Sequence, residues 1–311
     1  MITEKLPVAS FVKMLLIKKG GCLMPQARIG VIGGTGLYNI EELSDIEEIN
    51  IDTPFGKPSD SIITGKLEGI GIAFLPRHGK GHRISPTEIP VRANIYALKS
   101  LGVEHIIAVC SAGSFKQEIK PGDLLIPDQL IDRTRNRIST FFGNGITVHI
   151  AFAEPFCPVL SQTLYQAAKE VGAAVHLKGT YVAMEGPAFS TRAESRLYRS
   201  WGADIIGMTA LPEAKLAREA EICYAIIGCV TDYDSWRETS ETVTIDTIMA
   251  VQRRNIDATK KIIKLAVSRI PEQRSCECAT ALKTAIVTAP GLIPAEQKKK
   301  LNLLISKYIA G

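Results

Sequence analysis

The chain has 311 residues, 46% of them hydrophobic and 22% charged, with a formal net charge of +5. That composition suits a soluble α/β protein with a large core. No basic stripe interleaved with aromatics is present, and no apolar run reaches the ~20 residues a bilayer span needs, so nucleic acid and membrane are not expected partners.

Taken in order, residues 1–25 read as a leader outside the fold, because Met24 stands just before the first core strand at 29–32. Further strands are predicted at 70–75, 105–109, 123–126, 181–184, 204–207 and 223–230, as short apolar, β-branched runs. Helical spacing marks 86–101, 158–171, 192–201, 212–222 and 244–267 between them, several starting at Pro. This alternation over 26–288 predicts one α/β domain, a sheet with helices on both faces. At 289–311 the apolar stripe Leu301, Leu304, Ile305 and Tyr308 opposes Lys298-Lys299-Lys300, the pattern of an amphipathic helix.

Seven cysteines are present. Cys22, Cys110, Cys157, Cys223 and Cys229 are scattered, several in apolar strands. Cys276 and Cys278 read either as exposed thiols or as a labile or stabilising disulfide. No metal is expected, since ligands are not grouped as zinc requires.

The chemistry gathers at strand ends, where ligands of open α/β sheets bind. Gly33-Gly34-Thr35-Gly36 follows the first strand, and its backbone N–H groups and the Thr35 hydroxyl suit an oxyanion. A nicotinamide-dependent dehydrogenase is the competing reading, with Asp52 near ribose-binding spacing, but Asn39 replaces the third glycine of the fingerprint. Arg77 and His78, within Pro76-Arg77-His78-Gly79-Lys80-Gly81-His82, offer donors for phosphate. Phe189, Ser190 and a possible Ser190 or Thr191 cap with Glu194 follow the strand at 181–184. Gly207-Met208-Thr209 and Thr231-Asp232-Tyr233-Asp234 end two more strands, and an acid at such a place is desolvated and can carry a proton at neutral pH.

These segments, with Asp52–Asp60 and Ala153–Pro158, carry a resemblance to the trimeric purine nucleoside phosphorylase family over about residues 29–287, on its methylthioadenosine-cleaving side. The Cys-x-Cys pair resembles the ends of archaeal members. The resemblance implies a single domain with a central mixed β-sheet flanked by helices, in a cytoplasmic trimer or dimer of trimers. It implies phosphorolysis of 5′-methylthioadenosine to adenine and 5-methylthioribose 1-phosphate, serving purine and methionine salvage. No cofactor is implied, and inorganic phosphate is the co-substrate. A broader purine nucleoside phosphorylase acting on adenosine, inosine or guanosine is the alternative within the fold, and a catalytically silent nucleoside binder a further one.

Carried onto this chain, the resemblance assigns phosphate to Thr35, Arg77, His78, Cys110, Ser111 and Thr209, and the base to Phe189, Ser190, Asp232 and Asp234. Met208 matches a ribose contact, while His149, from a neighbouring subunit, and Ile245, Ile248 and Met249 surround the 5′ substituent. Asp232 becomes the general acid. The family's 6-oxopurine members carry Asn there and Glu where Ser190 stands, so the pair implies 6-aminopurines. Two departures stand out: Cys110 replaces a common hydroxyl residue, and Gly207 stands where some relatives have Asn.

Overall fold

The structure is a computed structural model. It describes residues 13–16, 26–34, 37, 40, 42–237 and 245–309, with 13–16, 245–250 and 252–254 as backbone only.

Twelve strands join one mixed sheet among the described residues. In chain order these are β1 (Lys13–Leu16), β2 (Ile29–Gly33), β3 (Ser44–Asn50), β4 (Ile62–Leu67), β5 (Ile70–Pro76), β6 (His105–Ser114), β7 (Leu124–Ile126), β8 (Gln129–Arg133), β9 (Val175–Leu177), β10 (Thr180–Met184), β11 (Ile205–Gly207) and β12 (Cys223–Tyr233). The helices are α1 (Val91–Ser100), α2 (Pro158–Glu170), α3 (Arg192–Ser200), α4 (Ala210–Glu219), α5 (Ile245–Val267), α6 (Ala295–Lys300) and α7 (Asn302–Ile305).

The centre is the parallel set β5-β2-β6-β12. Its strands are apolar over most of their length because both faces are covered, with polar residues confined to their ends and to Ser111. Side chains alternate between the two sides: Tyr224, Ile226 and Val230 enter one core with α1, α4 and α7, while Ala225, Ile227 and Cys229 enter the other with α2 and α5. Strand β6 is long enough to pair β2 with its first half, β11 with its end, and β12 throughout. The second half of the sheet, β11-β10-β8, is thereby joined to the first.

All seven predicted strands and five predicted helices are found, with shifted ends. Helix α1 starts at Val91, not at 86, because Ser85 folds onto Glu88 in a turn (Oγ–Oε2 2.6 Å) and Pro90 disfavours helix at the residue before it. The capping alternatives at α3 resolve to Thr191, whose hydroxyl and backbone are bound reciprocally with Glu194. The predicted tail helix breaks at Leu301 into α6 and α7, with Leu301, Leu304 and Ile305 buried in the core and the Tyr308 hydroxyl, beyond α7, donating to Glu221 (2.6 Å).

The cysteines overturn one expectation. Cys276 and Cys278 are not joined to each other, and six thiols, Cys110, Cys157, Cys223, Cys229, Cys276 and Cys278, are free. Nor are the partners scattered, since folding brings Cys157 and Cys223 onto the Cys-x-Cys pair.

Candidate active site

The parallel register lines up the carboxyl ends of the central strands. Gly33 of β2 pairs with Pro76 of β5, and Arg77 N–H donates to Gly33 O (3.0 Å), so the glycine turn and the Arg-His pair adjoin. Gly34 is exposed with open space above it. Thr35 lies outside the described residues.

Arg77 is 2% exposed. Its Nε and Nη2 bind both carboxylate oxygens of buried Glu213 (2.5 and 3.0 Å), Nη1 binds Val109 O (2.8 Å) and Nη2 also reaches Ile32 O (3.4 Å). The planar fork therefore faces Glu213, and of five N–H donors one Nη1 hydrogen is left for another acceptor among the described residues. Burial opposes its charge, but the adjacent carboxylate more than compensates and holds Arg77 firmly protonated. Glu213 also accepts from the Tyr224 hydroxyl (2.9 Å). Sequence reading missed Glu213 because its partner lies 136 positions away.

His78 is half-buried, its Nδ1 bonded to Ile84 O (2.8 Å) and its ring stacked on His82. Burial, with Arg77 beside it, pushes its pKa down to about 4. The ring is neutral at pH 7, Nδ1 carries the hydrogen, and Nε2 is an acceptor.

Cys110 and Thr209 complete this end. Burial pushes the Cys110 thiol up to about 11. It reaches the Tyr181 hydroxyl at 3.9 Å, with Thr209 alongside. Thr209 precedes α4 and its hydroxyl makes no cap bond. A Cβ at Gly207 would sit 2.1 Å from the Tyr181 hydroxyl, so that tyrosine occupies the volume a side chain would need. This accounts for one departure: the missing side chain at Gly207 leaves room for Tyr181, while Cys110 only contacts its hydroxyl. Ser111 is half-buried beside them.

The carboxylate end is built by a bulge. Val230 pairs with Ala112 and Asp232 with Gly113, leaving Thr231 as the extra residue. Straight alternation would send Asp232 after Tyr224, Ile226 and Val230 into the core; the bulge turns it over Gly113 instead. A Cβ at Gly113 would lie 3.1 Å from Asp232 Oδ2 and 3.3 Å from Asp234 Cβ, so the missing side chain makes space for both acids. Thr231 Oγ1 donates to Asp232 Oδ1 (2.7 Å). Burial first, then the charge of Asp234, raises Asp232 to about 6, against the Thr231 bond. Asp234 is likewise raised by burial, opposed by Ser195 and Ser190. Its Oδ2 is buried without a hydrogen-bond partner among the described residues.

Ser190 is buried and tied through its carbonyl to Ser235 Oγ (3.0 Å). Phe189 beside it is 49% exposed, a ring with a free face. Met208 packs toward Gly186, where a Cβ would meet its sulfur at 2.5 Å. A second unforeseen residue, Arg137, holds this rim: its Nη1 binds Met208 O (2.5 Å) and Leu211 O (2.7 Å), and its Nη2 binds Glu185 O (2.5 Å). His149 stands exposed, its backbone N–H on Ala285 O (2.9 Å). The side chains of Ile245, Ile248 and Met249 lie outside the described residues.

One rim thus carries a buried cation and, beside it, two desolvated acids, Asp232 raised to about 6 and Asp234 raised by burial. The family model described as "Phosphorylase superfamily" matches residues 28–268. An S-methyl-5'-thioadenosine phosphorylase of Geobacter sulfurreducens is 57% identical over 282 residues, covering 90% of this chain and 99% of the relative. One of Koribacter versatilis is 51% identical, with 91% and 97% covered. Among solved structures, a methylthioadenosine phosphorylase sourced from an antarctic soil metagenomic library superposes with TM-score 0.87 at 47% identity, covering 90% of this chain and 99% of that one. The Schistosoma mansoni methylthioadenosine phosphorylase in complex with adenine gives 0.78 at 36%, with 83% and 96% covered. With the match spanning the central sheet and its strand-end site, the chain belongs to the phosphorylase superfamily.

Proposed function

We propose that this chain cleaves 5′-methylthioadenosine with inorganic phosphate, giving adenine and 5-methylthioribose 1-phosphate. The observation that carries the reading is the Asp232 carboxyl, raised to about 6 by burial beside Asp234. Thr231 bonds Oδ1, so the proton resides on Oδ2, above Gly113. Oδ2–H donates to N7 of the departing adenine and Oδ1 accepts from the exocyclic amine. Proton donation lowers the barrier to leaving as a purine, an effect typically worth about 10²–10⁴ in rate.

Phosphate attacks C1′ while the sugar takes on positive charge, so an anion held at that carbon both stabilises the transition state and serves as nucleophile. Thr35, Thr209, Ser111 and the remaining Arg77 hydrogen donate to phosphate oxygens. His78, acting as an acceptor at Nε2, takes the hydrogen that phosphate keeps at neutral pH. Phe189 stacks on the base, and Ser190 and Asp234 bound it. Met208 lies against the ribose, with Ile245, Ile248 and Met249 around the methylthio group. His149 reaches the site of a neighbouring subunit in a trimer or pair of trimers working in the cytoplasm. No helix among the described residues is long and apolar enough to cross a membrane.

Product analysis with methylthioadenosine, adenosine and inosine, each with and without phosphate, tests this. Adenine should appear fastest from methylthioadenosine and only with phosphate. Phosphate-independent release, or inosine as the best substrate, refutes it.

A further inference from the structure

At the far end of β12 from Asp232, four sulfurs converge. Cys223 opens the strand, Cys157 precedes α2, and Cys276 and Cys278 flank the start of a short 3-10 turn, Glu277–Thr280. Their Sγ atoms all lie within 4.8 Å of one another, with Cys157, Cys223 and Cys278 buried and Cys276 half-buried. The nine residues from Cys223 to Asp232 put about 30 Å of strand between this cluster and the acids. The proposed phosphorolysis uses none of these thiols.

Geometry separates the readings. Cys223 and Cys276 sulfurs are 3.3 Å apart, far beyond the ~2.05 Å of a disulfide. Four thiolates about 2.3 Å from a central ion stand roughly 3.8 Å apart on the edges of a tetrahedron, within the observed span. A tetrahedral all-sulfur set favours zinc, and four ligands leave no open position, as in a structural centre. We infer that Cys157, Cys223, Cys276 and Cys278 form a tetrathiolate site for a soft divalent metal, zinc, that fastens the C-terminal segment to the sheet.

The surroundings suit the charge. On binding, four Sγ–H groups release protons to solvent, four Zn–S bonds form, the ion sheds its waters, and the centre carries a net charge of −2. Arg274 and His105 line the same recess as Cys157, Cys223 and Cys276. Arg28 lies close enough to act on His105. His105 Nδ1 is buried with no partner among the described residues, and in the tautomer that protonates it this nitrogen can donate to a ligand sulfur. Cys157 is itself pinned over β12 by its N–H on Tyr224 O (2.8 Å). The Cys-x-Cys spacing is a residue tighter than the common Cys-x₂-Cys pairing, and the two remaining ligands come from segments distant in sequence, which is why the pattern does not show in the chain.

The full chain, produced untagged in zinc-supplemented medium, decides the matter by metal analysis and intact mass. One zinc per chain, with all four thiols present but slow to alkylate until a chelator is added, supports the site. So does cobalt replacement giving sulfur-to-cobalt charge-transfer bands. Cys276→Ser/Cys278→Ser should lose at least about tenfold in bound zinc and melt earlier. Turnover at 25 °C should be unchanged, while Cys229→Ser keeps the metal. A metal-free chain with disulfides, lighter by two hydrogens per bridge, overturns the inference. So does a metal-free chain whose four thiols alkylate freely. Should the double variant fail to fold, metal content and thiol state of the wild type still settle it.

Discussion

Asp232→Asn separates acid catalysis from folding, because the two should move in opposite directions. The variant keeps the size of the side chain and removes the titrating proton. With a folded pKa of about 6, roughly nine-tenths of the acid is protonated at pH 5 and about a tenth at pH 7. The ratio of wild-type to variant kcat/KM cancels the ionisation of phosphate and nucleoside. It should be about 10²–10⁴ and flat below pH 6, then fall roughly tenfold per unit above it. For stability, the folded pKa lies above the ordinary 3.8, so the contribution of this group is greatest below the unfolded value and is lost as pH rises through 6. The shift amounts to roughly 3 kcal/mol of destabilisation above pH 7, which the amide removes. Melting of Asp232→Asn should therefore rise by roughly 5 °C at pH 7.5, with a smaller gain at pH 5. Calorimetry and a pH series of initial rates read both. A pH-independent activity ratio, or a variant less stable than wild type at pH 7.5, refutes a buried proton donor at this position.

Three further outcomes follow from the packing. Gly113→Ala places a methyl 3.1 Å from Asp232 Oδ2, so kcat with methylthioadenosine should drop more than about tenfold for a cost of about 1–3 kcal/mol; wild-type rates would show the acid sits elsewhere. Arg77→Met strands Glu213 in the core and should cost about 3–5 kcal/mol, whereas Arg77→Met/Glu213→Gln should recover most of that in denaturant titrations. The phosphate KM should stay raised in both, and a normal value in the double variant would remove Arg77 from the anion site. Arg137→Lys cannot span the Met208, Leu211 and Glu185 carbonyls, so kcat/KM should fall with little change in the pH profile; an unaltered kcat/KM would make the clamp dispensable.

What the chain reveals before folding depends on how a residue is covered. The central strands β2, β5, β6 and β12 are legible because both faces are buried, which leaves long apolar runs in each. Strand β3, Ser-Asp-Ile-Glu-Glu-Ile-Asn, is largely exposed and polar, and β8 is half-covered at best, so neither leaves such a run. Strand β9, Val-His-Leu, is only half-covered, whereas the equally short β7, Leu-Leu-Ile, is fully buried and does leave an apolar run. The site follows the same logic. Arg77 and Asp232 are readable because they lie at the ends of β5 and β12, and Thr209 because it follows the short apolar run of β11. Glu213, Arg137 and Tyr181 act across 136, 71 and 71 residues, and nothing local marks them.

The Thr231 bulge shows why pattern alone also fails within a well-read strand. Period-two alternation assigns Asp232 to the apolar face, where an acid without a partner would be costly. One inserted residue moves it over Gly113, where it stays desolvated enough to hold a proton yet has an open side toward a ligand. Gly113 and the bulge are therefore one device: a side chain on β6 would close the space, and a regular ladder on β12 would never fill it. Burial first sets the raised pKa of Asp232, and both strands shape that burial, β12 through the bulge and β6 through the missing side chain at Gly113.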